Sequence, residues 1–289
     1  MKVHGDNLKQ KEESPKYSRE ESKKLLKEIR PAYDEWAAAN DALIGPTKDA
    51  SPADAEIIAK RIELFSRYKD LIDKKEYAEE FDSRSNLHSS VLEEFVYYLF
   101  RDLITSLSKQ ALIGKSQTFK DIFFLPPNYA EMLLVPHSRV EEKDHDFAIG
   151  VTINVRLKCA GQTTEETHDI RIPAVAIECK TYLDKTMLEG ASTAAEQLKT
   201  RNPNAIYIIV SEWLKLSEDV NLKKFKVDQM YVLRKQKNTD REYRLRPGYD
   251  KKPVYLDVVL HLYETVRKHL FADWQGGVGH GLERGYLLE

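Results

Sequence analysis

HDIRIPAVAIECK, residues 168–180, opens polar, turns apolar and ends in a glutamate and a lysine two positions apart. In a strand, successive side chains point to opposite faces. Val175, Ile177 and Cys179 then share one face, and Ala176, Glu178 and Lys180 share the other. The first set belongs to a core, where Cys179 reads as a small buried hydrophobe. Glu178 and Lys180 stand side by side on the second face. A carboxylate there can bind a hard divalent cation, and an adjacent lysine can help orient a water, deprotonate it when its amine is neutral, or as the ammonium stabilise charge on a phosphate. With 32% charged residues in the chain, a Glu-x-Lys pair says little by itself. Its place at the end of an apolar strand is what gives it weight.

Upstream, DFAIGVTINVRL at 146–157 alternates, so Ile149, Val151, Ile153, Val155 and Leu157 are expected on one side of a pleat. The polar GQTTEET between the two runs predicts a hairpin. One carboxylate holds Mg²⁺ poorly. The hairpin supplies a second at its head, Asp146, with Asp144 as a rival. Downstream, a helix is predicted over 187–201 and a buried strand, NAIYIIVSEW, over 204–213. Strand, strand, helix, strand is a mixed α/β arrangement.

The rest of the chain reads mostly as helix. Residues 25–45 and 53–78 carry apolar residues at helical spacing, with Ser51 placed to cap the second helix. In 81–107, Val91, Leu92, Phe95, Val96, Leu99, Phe100 and Leu103 mark an amphipathic helix that Ser89 or Ser90 would cap. Residues 1–24 read as a frayed arm or the start of a helix. Residues 119–135 are two apolar runs around a Pro-Pro break, 254–270 is a late helix, and the glycine-rich end is loose. The organisation expected is a helical N-terminal region, 1–80, layered on a core, 81–289, in one continuous domain.

The 289 residues are 42% apolar, which is globular rather than disordered. No run approaches the roughly 18–20 apolar residues that span a bilayer. The first residues lack the apolar segment of a secretory signal. Two cysteines, Cys159 and Cys179, make no disulfide framework. A soluble cytoplasmic protein is the expectation. The net charge of −2 will not draw a polyanion by itself, so nucleic acid would need a local basic surface.

Asp146, then a hairpin, then Glu178-x-Lys180 on its second strand resembles the PD-(D/E)XK nuclease superfamily, with His145 where the motif's proline would stand. NLHSSVLEEFVYYLFRDL, DFAIG and AIECKTYLDKTMLEGASTAAEQLK resemble, more closely, Type II restriction endonucleases of the BbvCI type, which pair two related but different subunits on an asymmetric site. The resemblance implies a restriction-endonuclease-like mixed β-sheet flanked by helices. It implies Mg²⁺ held by Asp146 and Glu178, with Lys180 acting on the attacking water. It also implies double-stranded DNA as substrate, one strand cut per subunit, and a second nuclease subunit or a self-dimer as partner. A repair or junction-resolving nuclease, or a non-catalytic DNA-binding subunit of the same fold, are the alternatives.

Further candidates surround this set. Glu93 borders the apolar stripe of its helix and can reach inward to the metal, whereas Glu94 lies nearly opposite. His88 and Arg84, at the start of that helix, can meet a DNA phosphate. Lys199, Arg201, Lys223, Lys224 and Lys226 begin the most cationic part of the chain, which continues through Arg234, Lys235, Lys237, Arg241, Arg244 and Arg246. Gln197, on the following helix, is a further candidate to reach the scissile phosphate.

Overall fold

Five strands lie side by side in chain order: β1 (Leu112–Phe124), β2 (Ser138–Leu157), β3 (Glu166–Leu183), β4 (Ile206–Leu214) and β5 (Gln229–Val232). The first three are antiparallel neighbours, and β4 and β5 run parallel to β3. The computed structural model describes residues 2–81, 85–237, 248–274 and 278–287. Parallel neighbours need a long crossover, and helix α7 (Lys185–Arg201) supplies it between β3 and β4. The expected mixed α/β sheet is therefore present, and the hairpin is β2–β3.

The period-2 reading of β3 holds. Val175, Ile177 and Cys179 join Phe147, Ile208 and Val210 in the larger core, beneath helix α5 (Leu87–Leu107). Ala176 and Leu183 join Tyr207, Ile209 and the Leu188, Ala195 and Leu198 of α7 on the other face. Over α5 lies the N-terminal layer: α1 (Val3–Glu13), α2 (Glu20–Ala42) and α3 (Asp54–Ile72). Leu8, Leu26, Ile29, Ile58 and Phe65 from that layer enter the same core, as do Val259, Leu262 and Val266 of α8 (Leu256–Phe271). Lying between sheet and N-terminal layer, α5 buries polar residues outside its apolar stripe, including Glu93 and Glu94.

Several local expectations are corrected. The N-terminal segment is a packed helix, with His4 and Leu8 fully buried. Residues 53–78 divide into α3 and the short α4 (Lys75–Glu80). The N-cap of α3 is Ala53; Ser51 Oγ accepts from the Ala53 N–H in the turn before it. Neither Ser89 nor Ser90 caps α5. Asn86 occupies the N-cap position in a left-handed conformation without a side-chain capping hydrogen bond, and the Ser90 hydroxyl meets His4 instead. Phe119–Phe124 ends strand β1, and only Tyr129–Met132 beyond it is helical (α6). Near the glycine-rich end, Val278–Arg284 forms a short helix, α9.

The stripe expected along β2 also breaks. Ile149 is buried, but Val151 and Ile153 are 51% and 42% exposed. The β2–β3 register shifts between Ile149 and Gly150. At Gly150 the strands approach so closely that a Cβ would lie 2.0 Å from the Ile172 carbonyl oxygen. Beyond that kink the hairpin no longer shares the core's face. No helix among the described residues is long and apolar enough to cross a membrane.

Candidate active site

Strand pairing builds the site. Phe147 of β2 faces Ile177 of β3, and one further step in that register brings Asp146 level with Glu178. Asp146 Oδ2 accepts from the Cys179 N–H at 2.9 Å and from Lys180 Nζ at 3.0 Å. The same ammonium lies 2.7 Å from Glu178 Oε2. Two carboxylate oxygens from adjacent strands thus converge on one cationic point. Of the rival aspartates, Asp146 makes these contacts; Asp144 is exposed and pairs with Gln117 on the β1 side.

The surroundings set the charges. Burial, opposed by Lys180 and reinforced by Glu178, holds the Asp146 carboxyl above the usual aspartate range. Burial would raise Glu178 too, but Lys180 and the Tyr207 hydroxyl outweigh it, and this carboxyl lies below its ordinary range. Burial also works against charge on Lys180. Asp146 and Glu178 overcome it and keep the amine protonated above the usual lysine range.

Glu93 of α5 is 5% exposed and 3.0 Å from Lys115 Nζ. Burial and then nearby Asp146 push its carboxyl up, with Lys115 opposing. Where the β1–β2 register shifts between Gly114 and Ser116, Lys115 stands opposite two β2 residues, Asp146 and Phe147, so the extra residue of this bulge lies in β2. Glu94, by contrast, is not on a wet face. It is fully buried and accepts from His4 N–H (2.8 Å), Gly5 N–H (3.4 Å) and the Tyr33 hydroxyl (3.0 Å). Its task is to hold α1 onto α5.

Sequence reasoning missed Lys115 and Tyr207. The Tyr207 hydroxyl donates to Glu178 Oε1 at 2.8 Å. It sits in an apolar strand whose local pattern singles out no residue, and a β-bulge leaves no local signature either.

Among the described residues, no three His, Cys, Asp or Glu side chains are grouped so as to hold a metal ion. The two carboxylates that do converge fit Mg²⁺, which commonly takes one or two protein carboxylates and completes its shell with water and phosphate oxygens. The Lys180 ammonium between Asp146 and Glu178 already stands in for a cation at that point.

The residues expected at DNA fall into four groups. Lys223, Lys224 and Lys226 are exposed, and none forms an ion pair among the described residues. Lys199 is tied to Asp228 at 2.7 Å, and Arg201 to Asp121 at 2.8 Å. His88 is turned inward, 7% exposed, with Nδ1 3.3 Å from Asp73, so the packing of α5 withdraws it from the surface. Arg234 is likewise withdrawn. It is 2% exposed, 3.1 Å from Glu212 and stacked over Trp213. Lys235 and Lys237 pair with Asp257 and Glu218. Gln197 lines a small cleft with Lys120, Lys143 and His145. Arg84, Arg241, Arg244 and Arg246 lie outside the described residues.

Known proteins echo this architecture. The model of the Bpu10I restriction endonuclease family matches residues 84–287. The solved structure of the native BbvCI A2B2 tetramer superposes with a TM-score of 0.67 and 22% identity, over 92% of this chain and 94% of that one. At that identity the likeness establishes the fold, a restriction-endonuclease-like core. A restriction endonuclease PspGI–substrate DNA complex overlaps 85% of this chain and 92% of the other at 12% identity, but its TM-score of 0.29 carries no argument. No curated protein sequence matches significantly.

Proposed function

The chain belongs to the Bpu10I restriction endonuclease family, and from that premise we propose that it is a catalytic subunit of a Type II enzyme, hydrolysing one strand of a specific duplex DNA site with Mg²⁺. The observation that carries the reading is the convergence of Asp146 Oδ2 and Glu178 Oε2 on Lys180 Nζ. Mg²⁺ held by Asp146 and Glu178 would supply Lewis-acid chemistry at the phosphate and make a bound water more acidic. Lys180, a protonated amine, orients the attacking water and stabilises the charge growing on the phosphate. Glu93 adds a third, buried carboxylate beside Asp146. Lys223, Lys224 and Lys226, exposed and in no ion pair among the described residues, would take DNA phosphates.

One such site cuts one strand, so duplex cleavage requires a second. The BbvCI relative was solved as an A2B2 tetramer, and this chain is proposed to act with a second nuclease-like subunit or with a second copy of itself.

The test is cleavage of supercoiled plasmid with Mg²⁺, by the chain alone and with its partner subunit. Parent protein should nick or linearise the plasmid at defined positions. Glu178→Ala, Lys180→Ala and Asp146→Asn should each lose at least ~100-fold in rate, and chelation of the metal should stop the parent. Variants that cut as well as the parent would overturn the assignment.

A further inference from the structure

Tyr207 lies within the apolar strand IYIIVSEWL and packs against α7 with Ala176, Leu188 and Ile209. A phenylalanine would complete that face without burying a hydroxyl, which costs free energy unless the group finds a partner. The partner is Glu178. In the parallel β3–β4 register, Ala176 faces Tyr207 and Glu178 faces Ile209. Tyr207 is therefore the diagonal neighbour of Glu178 on the same face, within reach of a long aromatic side chain.

The ring has little freedom. Its backbone N–H donates to Asp228 Oδ2 at 2.7 Å, and its carbonyl accepts the Asp228 N–H at 2.9 Å. The buried His145 ring stands edge-on to it, centroids 5.6 Å apart at 70°. The hydroxyl so fixed engages Glu178 Oε1, and Oε2 is the oxygen turned towards Lys180 and Asp146.

We infer that Tyr207 is a positioning residue: by engaging one oxygen of the Glu178 carboxylate, it presents the other, together with Asp146 Oδ2, to a divalent cation. The inference rests on the proposed role of Asp146 and Glu178 as metal carboxylates. A carboxylate with no such tether rotates about its last bond and must be ordered at the moment of binding. Partners behind metal ligands are typically worth about 10–100-fold in metal affinity.

The experiment is calorimetric titration of the full chain with Mn²⁺, without DNA, for the parent, Tyr207→Phe, Tyr207→Leu, Glu178→Gln and Asp146→Asn, with thermal unfolding of each as a check of folding. Both Tyr207 variants should bind Mn²⁺ roughly 10-fold or more weakly. In plasmid cleavage, the Mg²⁺ concentration for half-maximal rate should rise by a similar factor, with the rate at saturating Mg²⁺ little changed. If a folded Tyr207 variant binds Mn²⁺ as the parent does, while Glu178→Gln and Asp146→Asn do not, this inference falls and the site reading stands. If Glu178→Gln and Asp146→Asn also bind as the parent does, both fall.

Discussion

The amide N–H of Cys179 donates to Asp146 Oδ2 over 2.9 Å, so the acid of one strand is held by the backbone of the next. Nothing in Asp146's own strand would fix its side chain there. The contact exists because β2 and β3 pair in one register, and a slip of one residue would turn every side chain to the opposite face. The converging carboxylates are thus a property of the pairing as well as of the residues.

Glu94 gathers two backbone N–H groups of α1 and the Tyr33 hydroxyl. Glu94→Ala leaves those donors buried without their acceptor, and should cost about 2–3 kcal/mol. Denaturant unfolding reads the loss. Hydrogen exchange should show residues 3–13 losing protection first. An unchanged midpoint would contradict this anchoring role.

Arg234 is expected to matter for stability and not for DNA. Arg234→Met leaves the fully buried Glu212 with Lys69, 2.9 Å away, as its remaining charged neighbour. Breaking a buried pair in this way costs about 3–5 kcal/mol. The denaturation midpoint should fall accordingly, while DNA affinity per folded molecule stays as in the parent. A large loss of affinity at unchanged stability would reverse this assignment.

The stability contributed by two buried histidines should fall on mild acidification. His145 is pushed down from 6.5 to about 4 by burial and then by Lys143, and burial drives His4 well below its ordinary value as well. Both histidines then bind fewer protons in the folded than in the unfolded chain below the unfolded value. Their contribution is fully present above pH 6.5, and that of His145 is lost as pH falls towards about 4. The loss from His145 is on the order of 3 kcal/mol at most. Unfolding free energies measured between neutral pH and pH ~5 should show a shallower slope in His145→Gln than in the parent. Parallel slopes would contradict the prediction.

Lys223, Lys224 and Lys226 should act on DNA through charge alone. Their joint replacement by alanine should weaken binding to specific and unrelated duplexes alike. The slope of log K against log salt should flatten by roughly 0.9 for each phosphate that the variant no longer neutralises. An unchanged slope would remove this surface from the DNA interface.

The alternation of HDIRIPAVAIECK determined by itself that Glu178 and Lys180 share one face of a strand and that Cys179 turns into the core. Backbone geometry alone enforces that pattern, residue by residue. The hairpin, the crossover helix and the stripe on α5 were legible for the same reason. The tertiary structure alone set Asp146, and not Asp144, against Lys180 and the Cys179 backbone, sent Glu94 to the N-terminal helix, withdrew Arg234 and His88 from the surface, broke the β2 stripe at Gly150, and brought Lys115 and Tyr207 to the carboxylates. Each of these depends on which surfaces meet across long separations in the chain, and a local periodicity carries no record of its distant neighbour.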